Sequence, residues 1–395
     1  MRVLESVLAP SPAALDDLLT RCRDLVEDVS FAAVQRWRED HPGAGVVGHF
    51  QVYFPEELAW ALGMLPVTVA GAGDRVEARR ADARIGSFVC SICRTSLELG
   101  LAGRLDFLAA FITHPICDAA RHMAGLWGRN MPGTLAQILY LPQNANSRYA
   151  AAYLAGEYRR LLGELERLAG RRASDDDLWR AIALYNENRR LIRELYAVRR
   201  ETPWLLSASE SYALVRAGTV LPKDEHNDIL RQALGLLPGR GGRRQDKIRV
   251  VFEGGFCEQP PLDMLATIED ACYVVDDDLM IGTHFILEDV PSGGDPLLAL
   301  AESYLERSSY SPVQHDLRKP KETMLLARLQ AARAQAAILA AAKMCEPGMD
   351  EQVAYQRALE DRGIPFLLLE FEEKMTAFEQ LRMQVETFAE SILFE

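Results

Sequence analysis

Apolar positions along this chain fall into two rhythms. Over residues 11–40, Leu15, Leu18, Leu19, Cys22, Leu25 and Val26 recur at helical spacing with charges on the other face, which predicts a helix. After the loop HPGAG come short apolar runs at 45–53, 65–69, 107–112 and 137–141, which predict strands, separated by helix-like segments such as 56–62 and 118–127. Alternation of this kind implies a parallel α/β layer. From Ser147 to about Gln232 the pattern is almost wholly helical, and it ends in LPGRGGRRQDK, the clearest linker in the chain. A second alternating unit follows, with apolar runs at 248–252, 272–275, 336–341 and 365–369.

The expected architecture is therefore α/β. Two lobes with small parallel, flavodoxin-like sheets are joined by a helical segment, with the site between the lobes. The expected boundaries are 1–146 for the first lobe with its leading helix, 147–245 for the helical segment and basic linker, and 246–395 for the second lobe. No repeat of 20 to 50 residues changes that picture.

Composition narrows the partners. At 395 residues, with 49% apolar and 26% charged positions, the chain has enough core for two or three domains of an ordinary globular protein. A net charge of -13 argues against a surface that tracks nucleic-acid phosphates or adheres to anionic lipid. The first residues lack a charged region followed by an apolar run, and no run of about eighteen apolar residues occurs. The expectation is a cytoplasmic protein that meets proteins and small molecules, with no nucleic acid and no membrane.

In a reducing compartment the seven cysteines are thiols or ligands rather than disulfides. Cys90, Cys117 and Cys345 each sit at the edge of a predicted strand or helix. Cys117 follows FLAAFITHPI and opens DAARHMAGLW; Cys345 follows ILAAAKM in the second lobe and opens EPGMDEQVAYQRALEDRG. A helix start favours the thiolate that a metal requires, and open α/β sheets bind ligands at the carboxyl ends of their strands. Three thiolates would leave one iron of a cluster open to another ligand. The competing reading is that each is a buried thiol packing as a small hydrophobe. Cys90 and Cys93 also form a C-x-x-C, which a redox dithiol would use, but SFVCSICRTSLELGLAG reads as one helix, and one of the pair is expected to be a ligand. Cys22 lies on the apolar stripe of the first helix. Cys257 and Cys272 are assigned structural roles.

The phrases GHFQVYFPEELAWALGMLPV, THPICDAARHMAGLWG, YNENRRLIRELY, AAAKMCEPG and FEQLRMQVETFAESI resemble, in order and spacing, the 2-hydroxyacyl-CoA dehydratase and benzoyl-CoA reductase family over nearly the whole chain. Within it, FEGGFCEQPPLD followed by CYVVDDDLMIG looks most like the smaller catalytic subunit, gamma or C-type, of the ATP-dependent reductases. The resemblance implies a [4Fe-4S] cluster on Cys90, Cys117 and Cys345, with Cys93 as an additional cysteine, beside a thioester site. It also places Glu57 of the P-x-E-L motif near substrate as the candidate proton handler, against a solvated carboxylate at a helix start. Asp118 is expected to cap its helix. Where the family often has Gln-x-x-Thr-Arg, this chain has Gln380-Leu381-Arg382-Met383-Gln384.

The implied activity is electron transfer to the ring of benzoyl-CoA or a related aromatic acyl-CoA, giving a cyclic diene thioester in anaerobic aromatic degradation. No Gly-Lys dipeptide and hence no P-loop occurs, so ATP and Mg are expected on other subunits. The implied assembly has a second homologous catalytic subunit, two ATPase (activator) subunits and ferredoxin as electron donor. Two alternatives stay open: a 2-hydroxyacyl-CoA dehydratase subunit, and a non-catalytic electron-transfer subunit of the same complex. Arg240, Arg243, Arg244 and Lys247 could meet CoA phosphates or be a solvated loop. The run Asp276-Asp277-Asp278 is expected to be a solvated turn rather than a hard-metal site. His49, His114 and His122 flank the first-lobe motifs, and the sequence does not choose among them as proton carriers.

Overall fold

A computed structural model describes residues 12–50, 53–254, 257–279, 285–310 and 316–394. Parts of three quoted motifs, at 51–52, 255–256 and 280–282, and the amino-terminal residues 1–11 lie outside the described residues.

The leading helix is two helices. Helix α1 (Pro12–Glu27) ends before Asp28, whose carboxylate accepts the N–H groups of Ser30 and Ala32 at 2.7 Å and the Ser30 hydroxyl at 2.6 Å. That side chain takes over the orphan donors of a new helix start, so the chain turns through Phe31 in the left-handed region (φ 56°) and restarts as α2 (Ala32–Asp40). Periodicity alone ran through this break, because both helices present their apolar stripe to the same core.

The first sheet holds β1 (Val46–Phe50), β2 (Leu65–Val69), β3 (Leu108–Thr113) and β4 (Leu135–Ile138), all parallel, in the order β2-β1-β3-β4. Every residue of β1 and β2 is buried, which is why they read as mainly apolar runs, with His49 and Thr68 the polar exceptions. The edge strand β4 is only half-buried and lies earlier than the run at 137–141 suggested. Between the strands run α3 (Glu57–Trp60), α4 (Arg79–Asp82), α5 (Ser91–Leu101) and α6 (Asp118–Asn130). Trp127 of α6 stacks on Phe111 of β3 with ring centroids 3.9 Å apart, which fixes the helix that follows Cys117.

The helical segment comprises α7 (Ala150–Ala169), α8 (Asp175–Glu201), α9 (Ala208–Ala217) and α10 (Lys223–Leu236). Reciprocal capping boxes, Ser174 with Asp177 and Ser207 with Glu210, start α8 and α9. The linker leads into a second parallel sheet of β5 (Ile248–Glu253), β6 (Cys272–Asp277), β7 (Ala336–Ala342) and β8 (Phe366–Phe371), in the order β6-β5-β7-β8. Helices α11 (Leu262–Glu269), α12 (Pro296–Glu306), α13 (Lys321–Ala331), α14 (Glu346–Glu360) and α15 (Glu379–Leu393) complete this lobe.

Both sheets thus share one topology, and each has a point where the strand order reverses: between β1 and β3, and between β5 and β7. Ligands of open α/β sheets bind outside the carboxyl ends of the strands at such points. One apolar core runs from α1 through both sheets to α15, and a smaller one lies between β5, β7, α13 and α14. Among the described residues, no helix is long and apolar enough to cross a membrane.

Candidate functional site

The carboxyl ends at both reversal points face one cavity of about 340 Å³. Phe50 reaches it from the end of β1 and Cys117 from beyond β3; Cys257 comes from beyond β5 and Cys345 from beyond β7. Cys90 and Cys93 join them, so five of the seven cysteines line one space. Cys22 and Cys272 lie elsewhere, fully buried, with burial pushing their thiols up to about 11 and about 12.

Three helices begin at this cavity. Cys90 is the N-cap of α5, Cys117 of α6 and Cys345 of α14. The expectation that Cys90 lies inside a helix is corrected, since α5 starts one residue later. Asp118 is not the cap of α6 either: it is exposed, and Sγ of Cys117 itself accepts the Ala120 N–H at 3.4 Å. Among the described residues, no Lys or Arg lines the cavity. The converging helix starts direct backbone N–H groups toward it, while Asp118 and Glu346 are the charged side chains of its lining.

Cys90 and Cys93 differ in state. The Cys93 thiol hydrogen-bonds to Cys90 and pulls the Cys90 pKa down, while the same contact and complete burial push Cys93 well up. Burial, then the backbone N–H of Gly348 acting the other way, leaves Cys345 at about 12; burial also raises Cys117. Burial pushes the Cys257 thiol well up, and the charges of Cys345, Cys117 and Cys90 add to the rise.

Among the described residues, no three His, Cys, Asp or Glu groups converge as ligands of one metal ion. A single ion draws its thiolates to a common point about 2.3 Å from each sulfur. A cubane instead takes one thiolate on each iron, so its ligands stand apart around a cavity. Cysteines spread over several elements around about 340 Å³ suit the larger group and not the single ion.

Glu57, the first residue of α3, is 1% exposed, so the solvated reading fails. Its carboxylate pairs with the Arg189 guanidinium of α8, which also donates to Asn186 at 2.9 Å, and Glu57 is not among the residues lining the cysteine cavity. Its neighbour Glu56 is bonded to His49 of β1. Oε1 of Glu56 meets His49 Nε2 at 3.1 Å, and Oε2 accepts from Tyr185 at 2.9 Å and from Lys223 at 3.1 Å. Burial alone would raise Glu56, but Lys223 and His49 outweigh it and hold the carboxyl at about 2. His49 precedes Phe50 on β1. His114, beyond β3, is held near 3 by burial and then by His49, whereas His122 is exposed on α6.

The aspartate run is buried, not a solvated turn. Asp276 pairs with Arg200, Asp277 with Arg199 and the Tyr196 hydroxyl, and Asp278 accepts the Gly254 N–H at 3.0 Å. In the basic linker, Arg240 clamps Glu210 at 2.7 and 2.8 Å and Lys247 bonds the Glu269 carbonyl at 2.6 Å, so half the run already serves the fold. Arg382, in the divergent carboxyl-terminal motif, pairs with Asp270 on the surface. A larger cavity of about 820 Å³ between α2, α8 and α10 presents Trp37 and Trp60. Its arginines are largely spent on its own acids, Arg21 on Glu225 and both Arg171 and Arg180 on Asp177, and no cysteine is among its lining residues.

Residues 51–392 match the family described as 2-hydroxyglutaryl-CoA dehydratase, D-component. The chain is 35% identical to one of the subunits of the benzoyl-CoA reductase of Thauera aromatica, over 95% of its own length and 98% of that protein's. It is 28% identical to the lactoyl-CoA dehydratase beta subunit of Anaerotignum propionicum over 89% of its length and 92% of that protein's. With the (R)-2-hydroxyglutaryl-CoA dehydratase beta subunit of Acidaminococcus fermentans the identity is 27%, over 89% of this chain and 93% of the other. With two like-ordered parallel sheets facing one cysteine-lined cavity, the chain belongs to the 2-hydroxyacyl-CoA dehydratase and benzoyl-CoA reductase family.

Proposed function

We propose that this chain is a catalytic iron–sulfur subunit of an ATP-dependent benzoyl-CoA reductase, acting in the cytoplasm on benzoyl-CoA or a related aromatic acyl-CoA. The observation that supports it most is the meeting of Cys90, Cys117 and Cys345, each capping a helix, at the reversal points of both sheets. These three residues would hold a [4Fe-4S] cluster, which when bound supplies electrons of very low potential. The rest of the work is done by the chain. Helix N-termini offset the negative charge of thiolates and bound group. Phe50, Ile92, Ile116 and Met349 keep the cavity wall apolar, and a dry shell around thiolates shapes their redox potential.

Ring reduction adds two electrons and two protons to the aromatic thioester and yields a cyclic diene thioester. Glu57 is assigned the proton handling; its ion pair with Arg189 has to open, or Arg189 has to move with it, for a proton to pass. Because the sequence contains no P-loop, ATP and Mg act on two ATPase subunits, with ferredoxin as the donor and a second homologous subunit completing the thioester cleft.

The dehydratase relatives favour a second reading, a 2-hydroxyacyl-CoA dehydratase subunit. One assay separates the two. The complex assembled with ATPase subunits, reduced ferredoxin, Mg and ATP should consume benzoyl-CoA with two electrons and ATP hydrolysis per ring. Dehydration of a 2-hydroxyacyl-CoA without net reductant, with benzoyl-CoA untouched, would replace the reductase reading by the dehydratase one.

A further inference from the structure

We infer that His49 is a proton carrier of this subunit, held at Nε2 by Glu56 and exchanging its proton at Nδ1 with the neighbouring ring of His114. The inference rests on the reductase reading, which brings two protons into a buried site for every ring reduced, and it chooses among the three histidines that flank the first-lobe motifs. His49 is 2% exposed, yet its Nδ1 has no hydrogen-bond partner among the described residues. Leaving a buried ring nitrogen bare costs stability, so a histidine that serves packing alone ordinarily has both nitrogens satisfied. Its other nitrogen is engaged: Nε2 meets Glu56 Oε1 at 3.1 Å and Thr68 Oγ1 at 3.2 Å.

The sheet brings the two rings to one side. In the parallel register His49 of β1 stands beside Thr68 of β2 and Ile112 of β3. His114 follows Ile112 by two residues, and the two-residue period of extended backbone assigns it to the face that carries His49. It is fully buried, and neither of its ring nitrogens makes a hydrogen bond of ordinary geometry among the described residues. Burial first and the charge of His49 second hold it near 3, with the Leu139 backbone opposing. His114 therefore stays neutral, and takes a proton at one nitrogen while releasing another from the second. Ile116 and Cys117, which follow it in the same loop, line the cysteine cavity, so the row leads toward the site. His122, exposed on α6, has no such place.

Glu56 makes Nδ1 the working atom of His49. Burial opposes the charge of Glu56, but Lys223 and His49 outweigh it and hold the carboxyl at about 2. Lys223 and the Tyr185 hydroxyl engage Oε2 at 3.1 and 2.9 Å, which leaves Oε1 for His49. An ionised carboxylate at Nε2 fixes the tautomer with its proton there and steadies the imidazolium, as the orienting acid does for a histidine base. Phe54 stacks on the ring with centroids 5.2 Å apart and holds its plane. Gain of a proton at Nδ1 gives the imidazolium, and its loss to His114 restores the neutral ring, so each passage moves one proton and no electron.

The test has two arms. The first follows the chain alone by nitrogen NMR with isotope-labelled histidine, the His49 signals being those that vanish in His49→Gln. Nε2 should keep its proton throughout a pH titration while Nδ1 gains and loses one, and Glu56→Gln should abolish that tautomer preference. A ring that gives up its proton from Nε2, or exchanges none, overturns the proposal whatever the substrate is. The second arm follows a single turnover of the assembled complex with benzoyl-CoA. His49→Gln can still donate to Glu56 but carries no proton, so ring reduction should slow about 10²-fold with a larger solvent deuterium isotope effect, while electron uptake from the donor keeps its native rate. His114→Gln should slow it in the same way. Native rates in His49→Gln overturn the carrier, and so does a loss of electron uptake in step with ring reduction, which would mark a structural role. A native complex that leaves benzoyl-CoA untouched overturns the reductase reading, and the NMR arm then still decides the carrier.

Discussion

The two lobes repeat one sheet topology yet hold their buried carboxyl groups in opposite states. In the first lobe, Glu56 meets Lys223, His49 and the Tyr185 hydroxyl, and these outweigh burial and keep it ionised down to about pH 2. At the matching end of the second sheet, Glu253 has the Arg328 guanidinium at 2.6 Å, but Asp278 and Glu351 press on the same space. Burial wins there, raising Glu253 to about 8 and Glu351 to about 7. What differs is the ratio of cations to acids, not the depth of burial. The first lobe therefore holds fixed charge at Glu56, and the second holds carboxylic acids that still carry protons near neutral pH.

The largest effect should follow from breaking the one feature the lobes share, a cysteine capping a helix at the reversal point. Cys117→Ser in the first lobe and Cys345→Ser in the second should each lower iron content and abolish reduction while the chain still folds. Iron analysis and circular dichroism would check this, and full iron with activity in either variant would remove that residue from the ligand set. Next come the ion pairs. Arg189→Met leaves Glu57 charged and unpaired at 1% exposure, which should cost about 3–5 kcal/mol in chemical denaturation. Arg328→Met should cost less, about 1–3 kcal/mol, because Glu253 can stay protonated. Equal losses from the two substitutions would contradict the difference between the lobes.

How far the sequence displayed this arrangement depended on the distance over which each residue finds its partner. Strands β1, β2, β5 and β7 were legible because parallel strands covered on both faces carry mainly apolar runs. The positions of Cys117 and Cys345 were legible because a strand-to-helix step is local. The break at Asp28 was not, since one side chain creates it without disturbing the apolar period. Partners such as Arg189 for Glu57, 132 residues away, and Arg199 for Asp277, 78 residues away, leave no local pattern, so the aspartate run looked solvated. That Cys257 lines the cavity had no local sign either, because its neighbours in the chain do not show where the loop after β5 lies.

The smallest expected effect lies in the pH dependence of stability, and it separates the lobes by sign. A carboxyl lowered in the fold, as Glu56 is, contributes stability present above the ordinary pKa of 4.5 and lost as pH falls through about 2. Glu351 is raised to about 7, first by burial, with Lys321 at 3.6 Å opposing and Asp278 adding to the rise. Between about pH 4.5 and 7 the folded chain holds a proton there that the unfolded chain has released, so its contribution is complete below 4.5 and declines as pH rises through 7. One such group steepens the decline by at most about 1.4 kcal/mol per pH unit. Glu351→Gln keeps the shape and removes the proton, so urea midpoints measured from pH 5 to 8 should fall less steeply than in the native chain. An unchanged slope would mean that Lys321 keeps Glu351 ionised, and the second lobe would then hold fixed charge at this position as the first does at Glu56.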